Sequence, residues 1–186
     1  MRQTTLKTAV IVNDMINDFV TGVFKSDRAM KIIPNIKALL QYAREQKARV
    51  VHATDAHLPE VDPEFDVWGS HAVAGSWGAE IVDELKPVKG DFRVFKRKYS
   101  TFHGTGLDQL LRDLKVDTVI LTGVLTDICI QHTAADAFSK GYKIIIPQDC
   151  VETLDAKTQA EALRYIRKAY RPEMTTSKQL MKRKWM

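Results

Sequence analysis

Seven side chains in this sequence have types and spacings that suggest chemistry: Asp14, Asp55, His57, Glu64, His71, Lys96 and Cys129. Cys129 lies in a stretch where an apolar run, Thr118 to Leu121, is broken by Gly123 and followed by the helix-starting pair Thr126 and Asp127. An alanine-rich helix is then expected to run to Gly141, a natural C-terminal stop. This places Cys129 in the first helical turn after a strand, where the positive end of the helix dipole would favour a thiolate. Position alone leaves two readings open, a nucleophile or one more small buried apolar residue. A nucleophilic thiol needs a base and a counter-charge. Asp14 could take the proton, and Lys96 could hold the thiolate or orient Asp14. Each also has a plain alternative, a turn-capping aspartate and a surface lysine in a basic cluster.

The second group, Asp55-Ala-His57 followed by Glu64 and His71, combines two imidazoles with carboxylates on one stretch. That donor set suits Zn, Mn or Fe better than Mg or Ca. Residues i and i+2 of an extended segment point the same way, so Asp55 and His57 can share a face. The alternative is a loop with solvent-facing polar residues. His52, His103 and His132 are read as structural, His132 being one helical turn beyond Cys129.

The elements that must position these residues alternate between apolar strand runs and helical stripes. Strands are expected at Thr8–Val12, Arg49–Ala53, Phe92–Phe95, Thr118–Leu121, Tyr142–Ile146 and Met174–Thr176. Helices are expected from near Pro34, with Ile36, Leu39, Leu40 and Ala43 as the apolar stripe, at Trp77–Leu85, around Leu107–Leu114, after Thr126, and near Gln159–Tyr170. The segment from Ala56 to Ser76 shows no period and reads as one long loop, a kind of segment that tends to be functional. Repeated strand–helix order predicts a three-layer α/β/α sandwich with a mostly parallel, Rossmann-like sheet, in a single domain over residues 1–186. Asp14, Asp55, Lys96 and the Thr126–Cys129 turn then all fall just past strand C-termini, the edge where open parallel sheets bind ligands. Four such arrivals at one edge favour the nucleophile reading of Cys129.

Composition narrows the class. An apolar fraction of 45% and a charged fraction of 27% are ordinary for a soluble chain. No apolar run is long enough to span a bilayer, and no signal peptide opens the chain, so no membrane partner is expected. Two cysteines, Cys129 and Cys150, suggest no disulfide framework and a reducing, cytoplasmic setting. The net charge of +5 is spread over helices, with small basic clusters at Lys96–Lys98 and Lys182–Lys184; it reads as solvated surface, and no nucleic-acid partner is expected.

The sequence resembles the isochorismatase-like cysteine hydrolases, and within them the nicotinamidase (pyrazinamidase) branch. The likeness covers nearly the whole chain. An apolar strand ending in an aspartate and followed by an NDF triplet appears as Val10 to Asp14 and Asn17-Asp18-Phe19. The K-x-x-Y-S-x-F block followed by GT-x-L appears at Lys96, Tyr99, Ser100 and Phe102, then Gly104, Thr105 and Leu107. The GV-x-T-x-x-C block appears at Gly123, Val124, Thr126 and Cys129. The resemblance implies an Asp14–Lys96–Cys129 triad and amide hydrolysis through a thioester. It implies an oxyanion site made by the Leu125 and Cys129 N–H groups, with a cis peptide between Val124 and Leu125. A D-x-H pair and a later His point to the nicotinamidase branch, with Asp55, His57 and His71 holding one divalent transition metal, zinc first and manganese or iron as alternatives. Glu64, seven positions before His71, fits a fourth ligand. Gly69 stands where proline is common and Ser76 where threonine is common. Phe19, Trp68 and Tyr99 would wall a small aromatic amide; their alternative is plain packing. The first and third blocks are shared across the family and define a hydrolase without its substrate. The implied reaction is nicotinamide to nicotinate and ammonia, in pyridine nucleotide salvage, with a homo-oligomer expected. The rivals are a family hydrolase acting on isochorismate, a ureido compound or an N-carbamoyl compound, and a non-catalytic binding module on the same fold.

Overall fold

The computed structural model describes residues 7–185. Seven strands build one sheet: β1 (Thr8–Asn13), β2 (Arg49–Asp55), β3 (Phe92–Lys96), β4 (Thr118–Val124), β5 (Lys143–Pro147), β6 (Val151–Glu152) and β7 (Glu173–Thr175). Their order is β3-β2-β1-β4-β5-β7, with β6 pairing β4, and every pairing is parallel. The helices are α1 (Asn17–Val20), α2 (Asp27–Glu45), α3 (Glu64–Trp68), α4 (Leu107–Asp113), α5 (Gln131–Ser139), α6 (Ala156–Tyr170) and α7 (Ser177–Leu180).

All residues of β1 and β4 are buried, as expected of central parallel strands covered on both faces. The pleat sends Val10 and Val12 to one face, against Ile32, Ile36 and Leu39 of α2 and Leu180 of α7. Ala9 and Ile11 point the other way, into a core with Leu107 and Leu111 of α4, Ala134 and Ala137 of α5 and Ile166 of α6. The sandwich is therefore the expected α/β/α arrangement with a parallel sheet.

Several boundaries differ from the sequence reading, each for a local reason. Helix α2 starts at Asp27, not near Pro34, because the Ser26 hydroxyl caps it by accepting from the Ala29 N–H at 3.1 Å. Pro34 lies inside the helix and removes the partner of the Met30 carbonyl, and Met30 is exposed, so water can take that bond. The Ala56–Ser76 stretch is not loop throughout, since it holds α3. The expected helix at Trp77–Leu85 is two separate 3₁₀ turns, Trp77–Ala79 and Asp83–Leu85. The chain between them is drawn out to bridge Ile81 to Ile16, and the Val82 N–H donates to the Met15 carbonyl at 3.1 Å. Strand β4 does not stop at Gly123 but runs through Val124. Gly123 has φ +103°, and a Cβ there would lie 1.9 Å from the Asn13 carbonyl oxygen, so glycine serves close strand approach.

Candidate active site

Four neighbouring strands, β3-β2-β1-β4, deliver the site at their C-terminal ends. Asp14 follows β1 with φ 52°, a left-handed conformation that aspartate tolerates better than most residues. Its N–H donates to the Ala53 carbonyl at 2.9 Å, and its Oδ1 accepts from the Asp55 N–H at 2.8 Å. Lys96 closes β3 in register with Asp55 and is 1% exposed. Its Nζ lies 2.9 Å from Asp14 Oδ2, 2.7 Å from Asp55 Oδ1 and 3.5 Å from Cys129 Sγ. One ammonium thus joins two buried carboxylates and a thiol.

Cys129 does not sit in the first turn of an α-helix. It sits in a π-helical turn, Thr126–Ile130, in which the Leu125 carbonyl accepts from the Ile130 N–H at 3.1 Å, and α5 begins only at Gln131. Such wide turns recur at functional sites. The Val124–Leu125 peptide is cis, as the resemblance implied.

The expectation of a resting thiolate is corrected by burial. Desolvation pushes the Cys129 thiol well above its ordinary range; Lys96 pulls it down, and Asp14 and Asp55 push it further up. Burial, then the Asp55 charge, raises Asp14 from 3.8 to about 6, with Lys96 opposing. Burial alone would depress Lys96, but Asp14 and Asp55 outweigh it and hold the ammonium charged. The site at rest is a protonated thiol beside an aspartate poised to accept a proton near neutral pH.

The second group forms as well. One donor atom each from Asp55, His57 and His71 lies within 4.8 Å of the others. Glu64, in the first turn of α3, brings Oε2 to 3.7 Å from His57 Nε2. His57 and His71 are held together through Ala72, whose carbonyl accepts the His57 N–H at 2.9 Å. The fit to a metal rests on the imidazoles. Both ring nitrogens of His57 are buried with no hydrogen-bond partner among the described residues. His71 Nδ1 is paired with the Gly69 carbonyl at 2.8 Å, which leaves Nε2 as its donor atom. Burial depresses His71, which favours the neutral, ligating form. At His57, burial is outweighed by Asp55, Glu64 and Asp62, so the ring is biased towards a proton. Surroundings that favour a proton there also favour a cation. Two imidazoles with one or two carboxylates form a set that suits a divalent transition ion.

Phe19, Trp68 and Tyr99 all line a small chamber between these two groups, with about 20 Å³ of free volume, room for about one water. The Trp68 indole N–H donates to the Tyr99 hydroxyl at 3.2 Å, tying α3 to the segment after β3. Two contributors had escaped the sequence reading. Phe24 also lines the chamber, stacked on Phe19 at 5.0 Å and edge-on to His71 at 5.2 Å. Asp62 stands behind His57, with Oδ2 3.5 Å from Nδ1, and is itself gripped bidentately by Arg97. Neither Phe24 nor Asp62 belongs to a motif, so spacing offered no signal. A groove of about 520 Å³ lies outside the chamber and shares Glu64 and Tyr99 with it. His103 and His132 line that groove, and His132 Nδ1 pairs with the Ile128 carbonyl at 2.7 Å. His52 is buried against Asp91 at 3.2 Å, consistent with a structural part.

A parallel α/β sheet thus carries a Cys–Asp–Lys cluster and an adjoining imidazole–carboxylate cluster at its C-terminal edge. The chain belongs to the isochorismatase domain family, whose pattern matches residues 8–178. It is similar to the crystal structure of N-carbamoylsarcosine amidase from Thermoplasma acidophilum, 37% identical with a TM-score of 0.87, over 92% of this chain and 97% of that one. It is similar to nicotinamidase from Bacillus subtilis, 30% identical with a TM-score of 0.85, over 91% and 99%. It is also similar to the zinc complex of the pyrazinamidase of Pyrococcus horikoshii, 28% identical with a TM-score of 0.84, over 91% and 99%. No described helix is long and apolar enough to cross a membrane.

Proposed function

We propose that this hydrolase is a metal-dependent nicotinamidase, converting nicotinamide to nicotinate and ammonia. The observation that carries the reading is the chamber lining. Cys129, the candidate ligands Asp55, Glu64 and His71, the rings of Phe19, Phe24, Trp68 and Tyr99, and the side chains of Leu125 and Ile128 all line it, and among the described lining residues there is no Lys or Arg to meet a substrate carboxylate. A neutral, flat amide suits such walls. Its ring would have to displace the Trp68–Tyr99 wall on entry, given the small free volume.

In this mechanism Asp14 accepts the Cys129 proton as Sγ bonds to the amide carbon. The Leu125 and Cys129 N–H groups hold the developing oxyanion. The carbon–nitrogen bond breaks, and Asp14 returns the proton to the departing nitrogen, releasing ammonia. Water then adds to the thioester carbon while Asp14 takes its proton; the carbon–sulfur bond breaks and the thiol regains a proton. Lys96 keeps Asp14 ionised and offsets the charge on sulfur. Asp55, His57 and His71, with Glu64 as a fourth candidate, would hold one divalent transition ion, zinc by first choice. Bound there, it would supply a Lewis acid able to anchor an aromatic ring nitrogen. Phe19, Phe24, Trp68 and Tyr99 orient the ring. The reading takes residues 1–186 as one catalytic domain, placed in the cytoplasm, working as a homo-oligomer in pyridine nucleotide salvage.

A second reading, an N-carbamoyl amide hydrolase, is favoured by the 37% identity to N-carbamoylsarcosine amidase. The test is ammonia release from zinc-loaded protein offered nicotinamide, N-carbamoyl amino acids or a ureidoacrylate in parallel, with nicotinate followed by chromatography. Turnover of nicotinamide supports the first reading. Turnover of the carbamoyl or ureido compounds alone replaces it.

A further inference from the structure

We infer that Asp18 is a positioning residue that sets two walls of the chamber from a single carboxylate: the turn that carries His71 and the loop that carries Phe24. The inference rests on the metal-site reading above and assigns a part to a residue outside the chamber lining.

Asp18 lies in α1 and is 8% exposed. Its Oδ2 accepts the Ala72 N–H at 2.8 Å, and its Oδ1 accepts the Val23 N–H at 3.4 Å. Its main-chain carbonyl accepts the Phe24 N–H at 2.8 Å. One residue therefore bonds next to a candidate metal ligand and next to a ring wall.

The hold on Ala72 reaches both imidazoles. Ala72 follows His71 and has φ 44°, a conformation that a residue with a Cβ adopts only when its surroundings impose it. Its N–H is fixed by Asp18, and its carbonyl accepts from the His57 N–H at 2.9 Å. The His57 carbonyl in turn accepts the Ala74 N–H at 2.9 Å. The Asp18 carboxylate, Ala72 and His57 are thus joined by consecutive hydrogen bonds, one to a side chain and one between main chains.

The carboxylate is also enclosed on purpose-built backbone. A Cβ on Gly78 would lie 2.0 Å from Asp18 Oδ2, and one on Gly22 would lie 2.5 Å from Oδ1. Two turns close in on the carboxylate to a distance only glycine allows. Asparagine at position 18 keeps the shape but turns one acceptor into an NH₂ group facing a backbone N–H, so at most one of the two side-chain bonds survives. Outer partners of metal ligands typically govern affinity by 10–100-fold.

The experiment is competition for Zn²⁺ between metal-stripped protein and a chromophoric chelator. It compares wild type, Asp18→Asn, Gly78→Ala and the control Asn17→Ala. Asn17 donates to the Trp77 carbonyl at 2.8 Å from the same helix and shares none of the Ala72 contact. Asp18→Asn should lose about 10–100-fold in Zn²⁺ affinity and raise KM for nicotinamide more than it lowers kcat. The rate of Cys129 alkylation by iodoacetamide should stay within about twofold, because the thiol's own partners are untouched. Gly78→Ala should lose affinity in the same direction by displacing Oδ2, and the double variant should be little worse than the weaker-binding single one. Equal affinity in wild type and either Asp18→Asn or Gly78→Ala overturns the inference and leaves the nicotinamidase reading standing. An equal loss in Asn17→Ala also overturns it, since the effect would then be general loosening of α1. If wild type itself takes up no Zn²⁺, the metal reading fails and this inference fails with it.

Discussion

Replacing Lys96 by methionine tests the electrostatic core of the site. The ammonium lies 2.9 Å from Asp14 and 2.7 Å from Asp55, with all three side chains buried. Methionine fills a similar volume but leaves two carboxylates facing each other without a cation. Removing one partner of a buried ion pair costs about 3–5 kcal/mol. For a chain of this length each kcal/mol shifts Tm by roughly 2–4 °C, so a fall of about 10 °C is expected. The loss should depend on pH with a definite sign. Asp14 already stands at about 6 with Lys96 lowering it, so removing the lysine raises it further. A carboxyl whose folded pKa lies above its unfolded value stabilises the fold at low pH and loses that contribution as pH rises through the folded pKa. Thermal unfolding of metal-free Lys96→Met between pH 5 and 8 should therefore show a deficit that widens as pH rises. Cys129 alkylation should also slow, because the cation that pulls the thiol down is gone. A Tm within about 2 °C of wild type at pH 8, with an unchanged pH slope, would refute the reasoning.

Three further outcomes are expected. Cys129→Ala should abolish ammonia release from nicotinamide with the fold intact, whereas Cys150→Ala should keep it, since Cys150 lies outside the chamber lining and has Asp149 and Ser177, not a lysine, beside its thiol; turnover that survives the first change and vanishes with the second reverses the assignment. Gly123→Ala should cost about 3 kcal/mol or more in denaturant unfolding, because its Cβ would meet the Asn13 carbonyl oxygen at 1.9 Å in a left-handed conformation; a loss under about 1 kcal/mol would show that the β1–β4 junction relaxes easily. The kcat/KM for nicotinamide should fall about tenfold per pH unit below about pH 6 as Asp14 gains a proton and can no longer accept one from Cys129; a flat profile down to pH 4 would remove Asp14 as the base.

Much of this protein was legible in its residues because the informative signals were local. Parallel central strands read as continuous apolar runs, and Val10, Ile11 and Val12 are buried on both faces for that reason. Each polar side chain that ends such a run falls at the ligand edge of the sheet, so Asp14, Asp55, Lys96 and Cys129 group together on sequence grounds alone. Element boundaries were less legible. Pro34 looked like a helix start, yet Ser26 caps the chain earlier and exposure of Met30 makes the interior proline tolerable. Gly123 looked like a strand end, yet it marks the place where β4 touches β1.

What tertiary structure alone decided is every property that depends on distance between remote segments. The charge state of Cys129 could not be read from its place near a helix start, because burial, with Asp14 and Asp55, outweighs Lys96. Phe24 entered the chamber wall, and Asp62 came behind His57, through folding of irregular segments that carry no period. Asp18 appeared in sequence only as the middle of a short motif. Its bond to Ala72 and the crowding by Gly78 exist only when the stretch 18–23 meets the stretch 72–78. Periodicity records which face of an element is buried, whereas the contacts that orient a site are made across loops whose course is set by the whole fold.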